Sequence, residues 1–312
     1  MPNLKDCRIV FMGTPEFAVA ILDRLVQEGC AVVGVVTAAD KPAGRGMELS
    51  QSAVKKYAVD KGLHILQPIK LKDPEFIAQL ESLHADVQVV VAFRMLPELV
   101  WNMPPMGTIN LHASLLPKYR GAAPINWAII NGETETGITT FKLQHAIDTG
   151  DVLMQQPITI RQDQTAGELH DQMKMLGAAL VFETLKKYCE GTLAPIPQSA
   201  IHDEASISTA PKINTDTCRI NWFLSAKQVV DLIRGLSPYP GAFTTLDGKM
   251  LKVYSSSFEA AAPHIAVGEY DTDQKMFLRF AAKDGWVYVK EIQLEGKKRM
   301  KIEDFLRGYR IK

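Results

Sequence analysis

Two polar residues at strand spacing give the first chemical signal. Asn110 and His112 stand two apart in the segment GTINLH. If residues 107–112 form a strand, its period of two turns Asn110 and His112 to one face and Ile109 and Leu111 to the other. An amide N–H beside an imidazole can donate to a developing oxyanion while the ring moves a proton near neutral pH. A carboxylate would orient that ring, and HAIDTGD offers Asp148 in a glycine-containing turn, with Asp151 just beyond it. Taken alone, these residues also suit a structural Asn–His pair and two turn aspartates. His145 has no evident partner and reads as surface or core. The stretch after the pair favours the chemical reading: SLLP turns away from the strand, Arg120-Gly121 turns again and Pro124 opens a helix. A long ordered loop at the mouth of a sheet is usually kept for binding.

Positioning such a pair needs a scaffold, and the first half of the chain predicts one. Short β-branched runs (RIVFM, AVVGVVT, DVQVVVA, GTINLH) alternate with helical stretches from Pro15, over Ala53 to Lys61 and over Pro97 to Trp101. That alternation predicts an α/β fold built on a parallel sheet covered on both faces, whose ligands bind at the carboxyl ends of the strands. Thr14 is placed to cap the first helix, Phe17, Ile21 and Leu25 form its apolar stripe, and Gly29 follows its end. Two further runs, GITTFKL and DVLMQQPITI, precede a long helix announced by the capping box Thr165-x-x-Glu168, with Leu169, Met173, Leu176, Leu180 and Leu185 at helical spacing. The segment EGTLAPIPQSAIHDEAS then loses periodicity and predicts an extended linker. Beyond it come a helix over Ala226 to Leu236 and five short alternating runs, which predict a small OB-type β-barrel. The expected domains are residues 1–189, a linker over 190–206, and residues 207–312.

Composition sets the limits. The chain has 312 residues, 46% hydrophobic and 22% charged, which excludes disorder as its class and leaves no apolar run long enough to span a membrane. Its start lacks the pattern of a secretory leader, so a cytoplasmic protein is the expectation. Cys7, Cys30, Cys189 and Cys218 lie far apart and predict reduced, mostly buried thiols rather than a zinc site or a disulfide framework. MGTPEF lacks G-x-G-x-x-G, and no P-loop or HExxH occurs, so neither a nicotinamide cofactor, ATP nor a metal is implied. Overall charge is balanced, yet residues 207–312 hold 17 basic against 12 acidic side chains, leaving 18 against 23 before them. A basic second part suits a polyanionic partner or an ordinary solvated surface. Within it, Lys297, Lys298, Arg299 and Lys301 form the densest basic run.

The motifs MGTPEFA, KPAGRG, NLHASLLPKYRGAAPI, IDTGD, RGLSPYPGAF and DFLRG together resemble the methionyl-tRNA formyltransferases, across essentially the whole chain. The resemblance implies a Rossmann-like formyltransferase domain followed by an OB-type domain that helps hold tRNA. It implies 10-formyltetrahydrofolate as formyl donor and initiator Met-tRNA as acceptor, with no metal, no membrane and a monomeric chain. By the same resemblance, Asn110, His112 and Asp148 are catalytic. Ser114, Leu115, Leu116 and Pro117 contact the folate, and Arg45 and Lys41 in the KPAGRG loop reach the tRNA. Two stretches depart from the family pattern: Phe93-Arg94-Met95-Leu96-Pro97, where Tyr-Gly-Leu-Ile-Leu-Pro is usual, and Ala146-Ile147, where Gly-Leu is common. An amino-sugar-nucleotide formyltransferase, a formyl-folate hydrolase and a non-catalytic RNA-binding protein are the rival readings; the barrel and the basic bias disfavour the first two.

Overall fold

Runs of β-branched residues flanked by turns build the central sheet, and the computed structural model describes residues 4–43, 48–201 and 208–311 of it and its surroundings. Seven strands lie in the order Val152–Thr159, Glu135–Lys142, Thr108–His112, Val87–Val91, Arg8–Gly13, Ala31–Val36 and Ile65–Leu66. All five residues of VQVVV are buried, as expected of an inner strand covered on both faces. The last five strands of that order pair parallel, whereas Thr108–His112 and Glu135–Lys142 pair antiparallel. The strands RIVFM, AVVGVVT, DVQVVVA and GTINLH thus pair parallel as the sequence predicts, and GITTFKL, for which it set no direction, joins the sheet antiparallel.

The Thr108–His112 strand is fixed from one face. Leu111 packs under the helix Ala166–Cys189 at Gly177, where a Cβ would come within 2.7 Å of Leu111 Cδ2. On the adjoining strand, Thr140 and Thr184 of that helix share a hydroxyl–hydroxyl hydrogen bond of 2.8 Å. On the other face, opposite Asn110 in the register, buried Phe141 clusters with Leu116 and Val152, and a side chain of this size contributes about 1.5–3 kcal/mol when fully buried. Alternation then leaves Asn110 and His112 on the opposite face.

The helix Glu16–Gln27 buries Phe17, Ile21 and Leu25, and Gly29 beyond it takes a left-handed φ of +71°. Its N-cap is Pro15, not Thr14; the Thr14 carbonyl instead accepts from the Val54 N–H at 3.4 Å. All four cysteines are free, with Cys7, Cys189 and Cys218 buried. The hydrogen bond with the Cys189 sulfur, and then burial, push the Cys7 thiol far up, and burial lifts Cys30 to about 11, so both are protonated thiols at neutral pH.

Two compact units emerge from the packing. The first comprises Met1–Arg120, Gly137–Ile158 and His170–Thr209; the second comprises Gly121–Thr136, Thr159–Leu169 and Ala210–Lys312. In the second, the expected strands appear as Ala242–Leu246, Lys249–Glu259, Tyr270–Thr272, Leu278–Ala281 and Trp286–Leu294, curled about one core, and Met300–Lys301 adds to Trp286–Leu294. Trp222 stacks on Phe280 with ring centroids 4.5 Å apart. The helix Ala226–Gly235 carries a full capping box from Ser225 and Gln228.

The capping box at Thr165 forms as the sequence predicts: Glu168 N–H donates to Thr165 Oγ1 at 3.3 Å, and Thr165 N–H donates to Glu168 Oε2 at 2.8 Å. Thr165→Ala is expected to lower unfolding stability by about 1 kcal/mol in urea titrations, with Thr165→Ser close to wild type. Equal stability of all three proteins would contradict this.

Candidate active site

His112 is buried, and both of its ring nitrogens face acceptors. Nε2 lies 2.9 Å from the backbone oxygen of Tyr119, and Nδ1 lies 3.8 Å from Asp148 Oδ2. A carbonyl accepts only, so the Nε2 proton is held there and Nδ1 faces the carboxylate. The ring also meets Phe141 edge-on at 6.4 Å. Asn110, two residues back on the same face, is half-buried, and among the described residues its amide has no hydrogen-bond partner. A half-buried amide beside a buried histidine is available to donate to a bound carbonyl oxygen.

Asp148 reaches His112 because the excursion between Lys142 and Asp151 is closed tightly at its base. Lys142 N–H donates to the Asp151 carbonyl at 2.9 Å, and Asp151 is thereby a turn residue. Asp148 itself sits at φ +53°, a left-handed conformation that aspartate tolerates better than most residues. Gly150 permits the closure, since a Cβ there would lie 1.6 Å from the Lys142 carbonyl oxygen.

The SLLP segment is clamped by a residue that the sequence did not single out. Thr139, opposite His112 in the strand register, donates from Oγ1 to the Ser114 carbonyl at 2.6 Å and accepts from the Leu116 N–H at 3.1 Å. Gln155 adds bonds to the Leu116 carbonyl at 2.9 Å and to Thr139 Oγ1 at 3.0 Å. Ser114, Leu116 and Pro117 are buried, and Leu115 is the partly exposed member. The one sequence signal for Thr139 was its place on the site-facing parity of GITTFKL.

Around the site, Arg94 in the shortened Phe93–Pro97 segment donates to the Ile69 carbonyl at 2.8 Å and to the Pro68 carbonyl, tying two loops together. His145 is a surface residue, 3.1 Å from Glu98. Lys41 is exposed in a short strand paired with Glu48–Ser50, whereas Arg45 lies outside the described residues. In the second unit Lys297, Lys298, Arg299 and Lys301 are all exposed. Arg299 is engaged by Glu291 at 2.6 Å and lies 4.3 Å over the Tyr254 ring, and Lys297 sits 5.7 Å over Tyr309. Among the described residues no group of three or more His, Cys, Asp or Glu side chains could hold a metal, and no helix is long and apolar enough to cross a membrane.

Residues 7–185 match the family described as formyl transferase, and residues 212–310 match the formyl transferase C-terminal domain. The methionyl-tRNA formyltransferase of Parabacteroides distasonis is 52% identical over 98% of this chain and 97% of its own length. That of Phocaeicola vulgatus is 55% identical with the same coverage. Among solved structures, a sugar 3N-formyl transferase, WlaRD, determined with dTDP and 5-N-formyl-THF, superposes with a TM-score of 0.68 at 18% identity. The match covers 94% of this chain and 99% of that one.

Since the turn that carries Asp148 closes only where residue 150 lacks a Cβ, Gly150→Ala must displace it. Turnover is expected to fall roughly ten- to a hundredfold in this variant, the scale of a displacement of about 1 Å in a catalytic group. Steady-state kinetics on the folded variant checks this, and wild-type turnover would show that the turn's position is unimportant.

Proposed function

The chain belongs to the formyl transferase family, and we propose that Asn110, His112 and Asp148 carry the transfer of a formyl group from 10-formyltetrahydrofolate to the α-amino group of initiator Met-tRNA. The observation that carries this reading is the Asn110 amide, without a hydrogen-bond partner among the described residues, beside a His112 ring whose Nδ1 faces a carboxylate. The neutral amine of methionine attacks the formyl carbon. As the carbonyl oxygen gains charge, the Asn110 amide donates to it. The amine must then lose a proton and the departing folate nitrogen must gain one; His112 Nδ1 accepts the first and returns it to the second. The imidazolium formed between these transfers is stabilised by Asp148, whose distance of 3.8 Å is within range for a strong charge interaction at a mostly buried site. Collapse of the tetrahedral adduct gives formyl-methionyl-tRNA and tetrahydrofolate, and no external oxidant or metal is needed for that balance.

Donor binding follows from the same surroundings. Leu115 offers its partly exposed side chain to the folate, while Ser114, Leu116 and Pro117 shape the segment from beneath through their buried side chains and the Thr139 clamp. The tRNA is held by separate basic contributions: Lys41 and Arg45 from the sequence KPAGRG, and Lys297, Lys298, Arg299 and Lys301 from the end of the second unit's sheet. Lys298 and Lys301 are the readiest phosphate ligands of that run, because Arg299 first has to leave Glu291.

Asn110→Ala and His112→Ala are each expected to lower kcat roughly a hundred- to a thousandfold while leaving tRNA affinity near wild type, because each acts on the reacting carbonyl. Transfer of labelled formyl groups to charged initiator tRNA, with elongator Met-tRNA as control, measures this; near-normal turnover in either variant removes that residue from the mechanism. Neutralising Lys297, Lys298, Arg299 and Lys301 together is expected to flatten the dependence of log affinity on log salt, by somewhat less than about one unit for each phosphate no longer neutralised. An unchanged salt slope would show that this run is merely solvated.

A further inference from the structure

The segment after the long helix lacks periodicity, yet it delivers a buried polar side chain to the site. Ile196 is bridged to Val152 by backbone hydrogen bonds of 2.8 Å in both directions, and two residues later Gln198 is only 5% exposed. Its carboxamide is fully occupied. Nε2 donates to the carbonyls of Asp148 at 2.9 Å and Gly150 at 2.8 Å, and Oε1 accepts from Arg120 Nε at 3.2 Å and from its terminal nitrogen at 2.6 Å.

These four bonds join the two backbone segments that flank His112. On the Nδ1 side lies the Asp148 turn; on the Nε2 side lies Tyr119, whose carbonyl holds the ring and whose next residue is Arg120. Both Asp148, at φ +53°, and Tyr119, at φ +58°, occupy the left-handed region that side chains disfavour. An outside tether therefore has something to oppose at each position. Glutamine is the side chain suited to this place, because two N–H donors must meet two carbonyls while one oxygen meets a guanidinium. A glutamate keeps the guanidinium interaction and loses both donors.

We propose that Gln198 is a positioning residue for formyl transfer: through the Asp148 and Gly150 carbonyls and through Arg120 it sets the Asp148 carboxylate against His112. The inference rests on the assignment of Asp148 as the carboxylate that orients and stabilises His112. It places a determinant of catalysis outside the strand and loop motifs, in a stretch whose sequence reads as a connector.

A double-mutant cycle on the full-length enzyme tests it, with kcat and both KM values measured for wild type, Gln198→Leu, Asp148→Asn and the double variant. Gln198→Leu is expected to lower kcat roughly ten- to a hundredfold with the KM values for donor and Met-tRNA near wild type. In the Asp148→Asn background the same change should add little further loss, because residues acting through one another are non-additive. A full second loss in the double variant, or wild-type kcat in Gln198→Leu, would overturn the proposal. Wild-type turnover in Asp148→Asn would instead overturn the assignment of Asp148 itself. Should Gln198→Leu fail to fold, Gln198→Glu decides: a reduced kcat at a wild-type thermal midpoint supports the proposal, and an unchanged kcat overturns it.

Discussion

The site depends on a reversal of strand direction next to Thr108–His112. A parallel neighbour on both sides would require a helical crossover before the chain could return to the sheet. Here the neighbour Glu135–Lys142 runs antiparallel, and a short excursion closed by Lys142 and Asp151 leads into the next strand. That excursion carries Asp148 back to His112. The same pairing sets Thr139 opposite His112, where its hydroxyl holds the SLLP segment. One register thus fixes the His112 ring, the carboxylate that faces it and the SLLP segment.

Rigidity is supplied from the other face. Close approach at Gly177 and the Thr140–Thr184 bond seat the strand pair on the long helix. On the site face, by contrast, polar groups are left for a ligand: the Asn110 amide lacks a partner among the described residues, and Nδ1 of His112 stands 3.8 Å from the Asp148 carboxylate. A scaffold satisfied on one side and open on the other is what an enzyme needs if the missing hydrogen bonds are to be completed by the reacting groups.

Much of this was legible in the sequence for identifiable reasons. The parity of GTINLH separates Asn110 and His112 from Ile109 and Leu111, and the capping box at Thr165 and the stripe of Phe17, Ile21 and Leu25 follow local rules that packing did not override. The reversal of strand direction was not legible, because periodicity reports alternation and not the direction of a partner. Thr14 lost the cap to Pro15, whose fixed φ suits a helix start. Gln198 left no local trace, since its partners lie 48, 50 and 78 positions away along the chain. The basic run at Lys297 to Lys301 was visible as charge, but its pairing with Glu291 depends on a neighbouring strand.

The proposed transfer makes one geometric demand: the formyl carbon must lie beside the Asn110 amide and the His112 ring. A crystal structure of the enzyme with a non-transferable formyl-tetrahydrofolate analogue tests it most directly. The formyl oxygen is expected within hydrogen-bond reach of the Asn110 amide nitrogen, roughly 3 Å, with the pterin-bearing end against the SLLP segment. An analogue bound with its formyl group well out of reach of both Asn110 and His112 would contradict it.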